Sequence, residues 1–182
     1  MKRSRLLCGL SLAIAACRPS AVQDSPPATS DYELRTDLSH YKARPTQRVY
    51  GSYMYAFQVV AHFRNRSNHA VFLSSCYPDS QQPKYDVAVA KTSSSNQESA
   101  YSLAWACVGH DRQLAVHPGV ERTDTLTLHG PTSWDGRTQQ PFGLVEGSFR
   151  LIYGVQECRG STECERAVAP VSSNEFRVTV TR

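Results

Sequence analysis

Along most of this chain's body, hydrophobic and polar positions alternate with period two. In "YMYAFQVVAHF" Tyr53, Tyr55, Phe57, Val59, Ala61 and Phe63 share one face, and Gln58 and His62 fall on the other. That is the pattern of a half-buried strand. "NRSN", residues 65–68, turns the chain into "AVFLS". Further on, "YDVAVAKT" alternates through Tyr85, Val87 and Val89, and "AYSLAWACV" sets Tyr101, Leu103, Trp105 and Cys107 on one face. A short "QLAV" ends at "HPG", and "RTDTLTL" turns Leu126 and Leu128 inward with threonines outside. "SFRLIYGV" and "EFRVTV" complete the set, and no segment carries a helical period. About eight short strands with turn signals between them predict an all-β fold, an antiparallel β-sandwich in which each sheet is buried on one face. On this pattern Trp105 and the face from Tyr53 to Phe63 belong to the core.

The first 30 residues follow other rules. Lys2, Arg3 and Arg5 precede an apolar run from Leu6 to Ala16, broken by Ser11, which is the layout of a secretory signal. The run is too short to span a bilayer, which takes about 20 apolar residues. "IAAC", Ile14 to Cys17, resembles the lipobox of bacterial lipoproteins. The resemblance implies that a diacylglycerol is transferred to the Cys17 thiol and that cleavage before it makes Cys17 the first mature residue. Lipid transfer needs a strong nucleophile at neutral pH, and a cysteine sulfur supplies it where serine does not. One acyl chain holds only marginally, whereas two or three anchor firmly. In that family an Asp after the cysteine retains the protein in the inner membrane. Here that residue is Arg18, which implies the outer membrane, facing the periplasm.

The domain organisation is therefore a signal over residues 1–16, a lipidated spacer over 17–30 and one domain over 31–182. The spacer, with Pro19, Pro26 and Pro27 and almost no bulky apolar residue, cannot bury enough surface to order itself. Coil scaling gives it a reach of roughly 20 Å. Charge changes with the cut. Removing the signal takes Lys2, Arg3 and Arg5 from the 20 Lys and Arg residues and leaves seventeen against 16 Asp and Glu. With no Lys/Arg cluster beyond Arg64 and Arg66, no nucleic-acid footprint remains.

Cysteine use follows from the compartment. Cys8 leaves with the signal and Cys17 takes lipid, so Cys76, Cys107, Cys158 and Cys164 remain for two disulfides in an oxidising envelope. Of three pairings, Cys76 with Cys107 and Cys158 with Cys164 is favoured, the second closing the tight loop "CRGSTEC". A metal site is the alternative use of these thiols. No C-x₂-C spacing occurs, and His40, His62, His69, His110, His117 and His129 are scattered. Neither a metal nor another cofactor is expected.

The succession "VVAHFRNRSNHAVFL", "LAVHPGVERTDTLTL" and "VEGSFRLIY" resembles the immunoglobulin-like domains of bacterial envelope proteins, including modules similar to the BsuPI proteinase-inhibitor domain. The resemblance covers roughly residues 50–155 and implies an immunoglobulin-like sandwich. It departs at Phe149, where many such domains carry a tyrosine whose hydroxyl ties the corner to the backbone. No reactive-site motif matches, so no inhibitory residue carries over.

No G-x-S-x-G elbow is present. "GHD", Gly109 to Asp111, sets a histidine beside an acid, but neighbours on a strand point to opposite faces. Asp135 and Glu146 could act as acid and base only if the fold held them together. "NRS" at Asn65 matches a glycosylation acceptor, yet turn chemistry explains the same residues. The long loop "HGPTSWDGRTQQPFG", His129 to Gly143, is the candidate binding surface, with Trp134, Asp135 and Arg137 as its amphipathic anchors. The alternative role for Trp134 is to cap the open end of the sandwich. These features predict a lipid-anchored, non-catalytic binding or structural module with an envelope protein or polymer as partner. A BsuPI-type inhibitor is the first alternative and an envelope enzyme the second.

Overall fold

A computed structural model describes residues 30–49, 52–78, 80–90, 98–101, 109–157 and 170–181. The signal, Cys17 and the spacer lie outside these residues, as do Leu103, Trp105, Cys107, Cys158 and Cys164. Among the described residues there are thirteen strands and no helix. They are β1 (Tyr32–Thr36), β2 (His40–Val49), β3 (Ser52–Asn65), β4 (Val71–Tyr77), β5 (Tyr85–Val89), β6 (His110–Val116) and β7 (Glu121–Gly130). After them come β8 (Ser133–Asp135), β9 (Gln140–Phe142), β10 (Gly147–Tyr153), β11 (Val155–Glu157), β12 (Val171–Ser172) and β13 (Phe176–Val180).

Strand β3 is the spine. Its inward residues Phe57, Val59, Ala61 and Phe63 are buried, as the alternation requires. Along one edge β7 pairs with it from Tyr55 to Arg64. The other edge is shared: β2 covers Ser52 to Ala56 and β1 covers Ala61 to Asn65. These strands form the first layer. In the second, β10 pairs with β13 and β12 on one edge and with β5 on the other. The chain then runs through Gly154 into β11, which pairs with β4, and β4 pairs with β6.

The two layers share one strand. Residues 40–43 of β2 run parallel to β13, and from Arg44 onward the same strand lies antiparallel to β3. The register shifts between Pro45 and Arg48. Proline has no N–H for a ladder, and an irregularity is where a strand tolerates it. Strands that pass between sheets by such bends make the corners of sandwiches. The layers bury one aromatic cluster: Phe57 meets Tyr101 at 4.9 Å and Phe176 at 6.4 Å, and Phe63 meets Tyr153 at 6.2 Å.

This is the all-β sandwich that the alternation predicts, with more strands than the expected eight. The excess has identifiable sources. β1 and β2 are polar and were not expected, and the expected long loop contains β8 and β9. Tyr53 is a correction. It was expected in the core and is 46% exposed, because β13 ends at Val180 opposite Ala43 and leaves β3 to overhang the second layer beyond that level.

Phe149 is fully buried against Tyr101 and Phe176. The backbone tie it cannot make is supplied nearby, since the Tyr101 hydroxyl donates to the Val145 carbonyl at 2.7 Å. Burial pushes that hydroxyl's pKa up. Cys76, the one cysteine among the described residues, is disulfide-bonded. The cysteine it joins lies outside those residues, so its pairing with Cys107 stays a proposal, as does Cys158 with Cys164.

Candidate functional site

The register of β3 gives the sandwich two distinct ends. At one, Tyr32 lies opposite Asn65, and the Arg66 N–H donates to the Asp31 carbonyl at 2.7 Å. The chain therefore enters the body beside the 65–69 turn. At the other end β7 stops at Gly130, opposite Tyr55, and β2 meets β3 at Val49 and Ser52. The candidate residues Trp134, Asp135 and Arg137 all lie beyond Gly130, at this second end.

They sit on a hairpin rather than in a loop. Ser133, Trp134 and Asp135 pair with Phe142, Pro141 and Gln140, and Asp135-Gly136 opens the turn, a dipeptide suited to tight hairpin connections. The Asp135 carboxylate accepts from the Arg137 N–H at 2.8 Å and the Thr138 hydroxyl at 2.9 Å. These bonds stabilise its charged form and hold its pKa below the usual carboxylate value. Gln139 completes the turn at φ 54°, in the left-handed region that a non-glycine residue enters at a cost of about 1–2 kcal/mol. Its N–H donates to the Asp135 carbonyl and its side-chain amide to the Gly136 carbonyl.

The root of the hairpin is clamped by residues 98–101. The Ala100 carbonyl accepts from both the N–H and the hydroxyl of Thr132, and the Ala100 N–H donates to the Leu144 carbonyl. Leu144 N–H in turn donates to the Glu98 carbonyl. The approach is close enough to demand glycine on both sides. A Cβ on Gly130 would lie 2.6 Å from the Ala100 oxygen, and one on Gly143, at φ 119°, would lie 2.8 Å from the Ala100 Cα. A pinned root and a closed turn make the hairpin a rigid projection.

Three further side chains at this end face solvent. Phe142 is 42% exposed. The Arg48 guanidinium lies 4.3 Å from the centre of the Tyr53 ring and also donates to the Tyr53 hydroxyl at 2.7 Å. Arg48, Tyr53 and Phe142 were absent from the sequence-based candidates. The Asp-Gly pair was the available signal for the hairpin, but nothing local told that β3 outruns the opposing sheet.

The other candidate chemistries resolve into structural bonds. His110 lies edge-on to the Tyr77 ring at 5.3 Å, whereas Asp111 pairs with Lys84, so "GHD" makes no dyad. Glu146 accepts from the Val180 N–H at 2.7 Å, whereas Asp135 is engaged by Arg137 and Thr138 of its own turn. Near the chain entry, the Tyr32 hydroxyl donates to Glu157, whose Oε1 lies 3.3 Å from His69 Nε2. Burial, then the Glu157 bond, pushes the Tyr32 pKa up to about 12. This cluster ties β1 and β11 to the 65–69 turn. Asn65 is fully buried, with its amide committed to the His69 and Val116 carbonyls at 2.8 and 2.9 Å. Turn chemistry accounts for "NRS". Among the described residues, no group of three or more His, Cys, Asp or Glu side chains is placed to hold a metal ion.

No family model matches the chain, and no curated protein matches it in sequence.

Proposed function

We propose that this chain is a lipid-anchored envelope protein, held through Cys17 on the outer membrane facing the periplasm. Its body acts as a non-catalytic binding module that presents the hairpin end to an envelope partner. The observation that carries this reading is the opposition of the two ends. β3 takes thirteen steps from Ser52 to Asn65, and at about 3.3 Å per residue they separate chain entry from the hairpin end by about 43 Å. A tether at one end leaves the other free to meet a partner. The rigid hairpin fits recognition, because a surface ordered before contact loses less entropy on binding. The titratable groups that meet among the described residues are engaged in turn, strand and corner bonds, which favours contact over chemistry.

Two measurements test this reading. A fatty-acid probe labels the mature protein, and Cys17→Ala abolishes the label; a retained label refutes the anchor. A pull-down from envelope extract with residues 31–182 recovers a partner that Trp134→Ala loses. Equal recovery by both forms removes the hairpin as the recognition surface. Saturable inhibition of a protease panel by the same body would instead favour the BsuPI-type alternative.

A further inference from the structure

Most cations of the described body have a local partner. Arg35 pairs with Glu121, Arg66 with Glu33, Lys84 with Asp111 and Arg122 with Asp124. Arg48 and Arg112 lie over Tyr53 and Tyr77. Five differ: Arg64 on β3, Arg137 in the hairpin turn, and the trio Lys42, Arg44 and Arg177. All five are exposed, and among the described residues no carboxylate pairs with any of them.

Strand pairing brings the trio together. In β2, Tyr41 and Ala43 are buried, so His40, Lys42 and Arg44 point outward. In β13, Phe176 and Val178 are buried, so Arg177 and Thr179 point outward. The parallel register sets Arg177 beside His40 and Thr179 beside Lys42. On the next strand, Arg150 lies two residues beyond Ser148, which is opposite Arg177, and it reaches Glu175 only at 4.0 Å. With same-face residues about 6.6 Å apart and strands about 4.8 Å apart, the four cations occupy a strip of roughly 20 by 10 Å. Glu175, Asp86 and Glu146 are the acids on this face; Asp86 also accepts from the Val87 N–H, and Glu146 from the Val180 N–H. The strip is the outer surface of paired strands.

We propose that this seam rests on the anionic headgroups of the bilayer that holds the chain. The inference rests on the lipid-anchor reading, because a spacer with a reach of roughly 20 Å keeps the body beside that surface. A basic patch is the usual complement to acyl chains in membrane attachment. The charges of a bilayer lie in a plane, which a flat strip can meet with all four cations at once. The body then lies along the membrane, and its hairpin is offered sideways to a partner in the same leaflet. Each cation at an anionic surface is worth about fivefold in partitioning, so the three unpaired ones together are worth about a hundredfold.

The test uses the mature chain without its lipid, residues 18–182, which contains every described strand. Co-sedimentation compares phosphatidylcholine vesicles with vesicles containing one quarter phosphatidylglycerol. The unmodified chain binds the anionic vesicles at low salt and releases at high salt. Lys42→Gln/Arg44→Gln/Arg177→Gln lowers that binding about a hundredfold with an unchanged unfolding curve, and Arg64→Gln, on the other layer, loses no more than fivefold. Equal binding to both vesicle types overturns the proposal. Undiminished binding by the triple variant does so too, as does an equal loss in the Arg64 control. Binding to a soluble polyanion such as polyphosphate, without binding to vesicles, overturns the bilayer as occupant. Since no lipid is attached to this protein, failure here is separate from failure of fatty-acid labelling at Cys17.

Discussion

Asn65 offers the sharpest probe of how the corner near the chain entry is held. Its Nδ2 donates to the His69 and Val116 carbonyls, and its Oδ1 accepts from the Ser67 N–H at 2.9 Å and the Ser67 hydroxyl at 2.7 Å. The side chain thus joins the end of β3, the following turn and the end of β6. Asn65→Ala removes all four bonds. The His69 carbonyl keeps its bond from the Ser67 hydroxyl, but the Val116 carbonyl and the Ser67 N–H each lose a bond inside the fold. At about 1 kcal/mol net per bond, with more for each buried group left unpaired, the loss is about 3–4 kcal/mol. For a body of this size that lowers Tm by roughly 10 °C. Asn65→Asp keeps the acceptor but turns a second carboxylate oxygen toward two carbonyls. It should be at least as damaging at neutral pH and recover in part as acid protonates the carboxyl. Urea unfolding of the mature chain measures both. A loss below 1 kcal/mol for Asn65→Ala would refute the account, since the corner would then hold without its amide.

Three further expectations come from other groups. The Tyr153 hydroxyl is buried without a hydrogen-bond partner among the described residues, so Tyr153→Phe should leave stability unchanged or raise it by about 1 kcal/mol in denaturant unfolding; a clear loss would contradict this. Tyr32 and Tyr41 are both pushed up to about 12, chiefly by burial. The unfolded chain ionises near pH 10 while the folded one keeps these protons, so stability is full below pH 10 and falls as pH rises toward 12; a flat Tm across that range contradicts this. Asp135 is depressed by its turn bonds, so its contribution is present above the ordinary aspartate pKa and lost as pH falls through the lower folded value. A carboxyl NMR titration should find its midpoint below that of free aspartate, and Asp135→Ala should speed amide exchange in β8 and β9.

What the sequence made legible was whatever local alternation controls. The inward sets of β3 and β7 fall where the period-two pattern puts them, because each strand is buried on one face and a one-residue slip would expose its whole apolar set. Asn65 was readable as turn chemistry for the same local reason. β1 and β2 were not, since "YELRT" and "HYKARPTQRV" carry few apolar residues and Pro45 argues against a central strand. β1 is placed by β3, and β2 by both β3 and β13, the latter more than 130 residues later, and no local signal encodes these pairings. The candidate site divides in the same way. Trp134, Asp135 and Arg137 were singled out and do share one projection, but the clamp from Ala100 and the overhang exposing Tyr53 are products of tertiary contact. The basic seam was invisible because Lys42, Arg150 and Arg177 are neighbours only across strands.

The central claim is that the chain is held at one end and read at the other. Site-specific photocrosslinking in intact cells tests it most directly, with the reactive group placed at Arg137 on the hairpin or at Asn68 beside the chain entry. The account predicts that position 137 captures a discrete envelope partner and that position 68 captures none. Capture of that partner from position 68, with none from position 137, would contradict it.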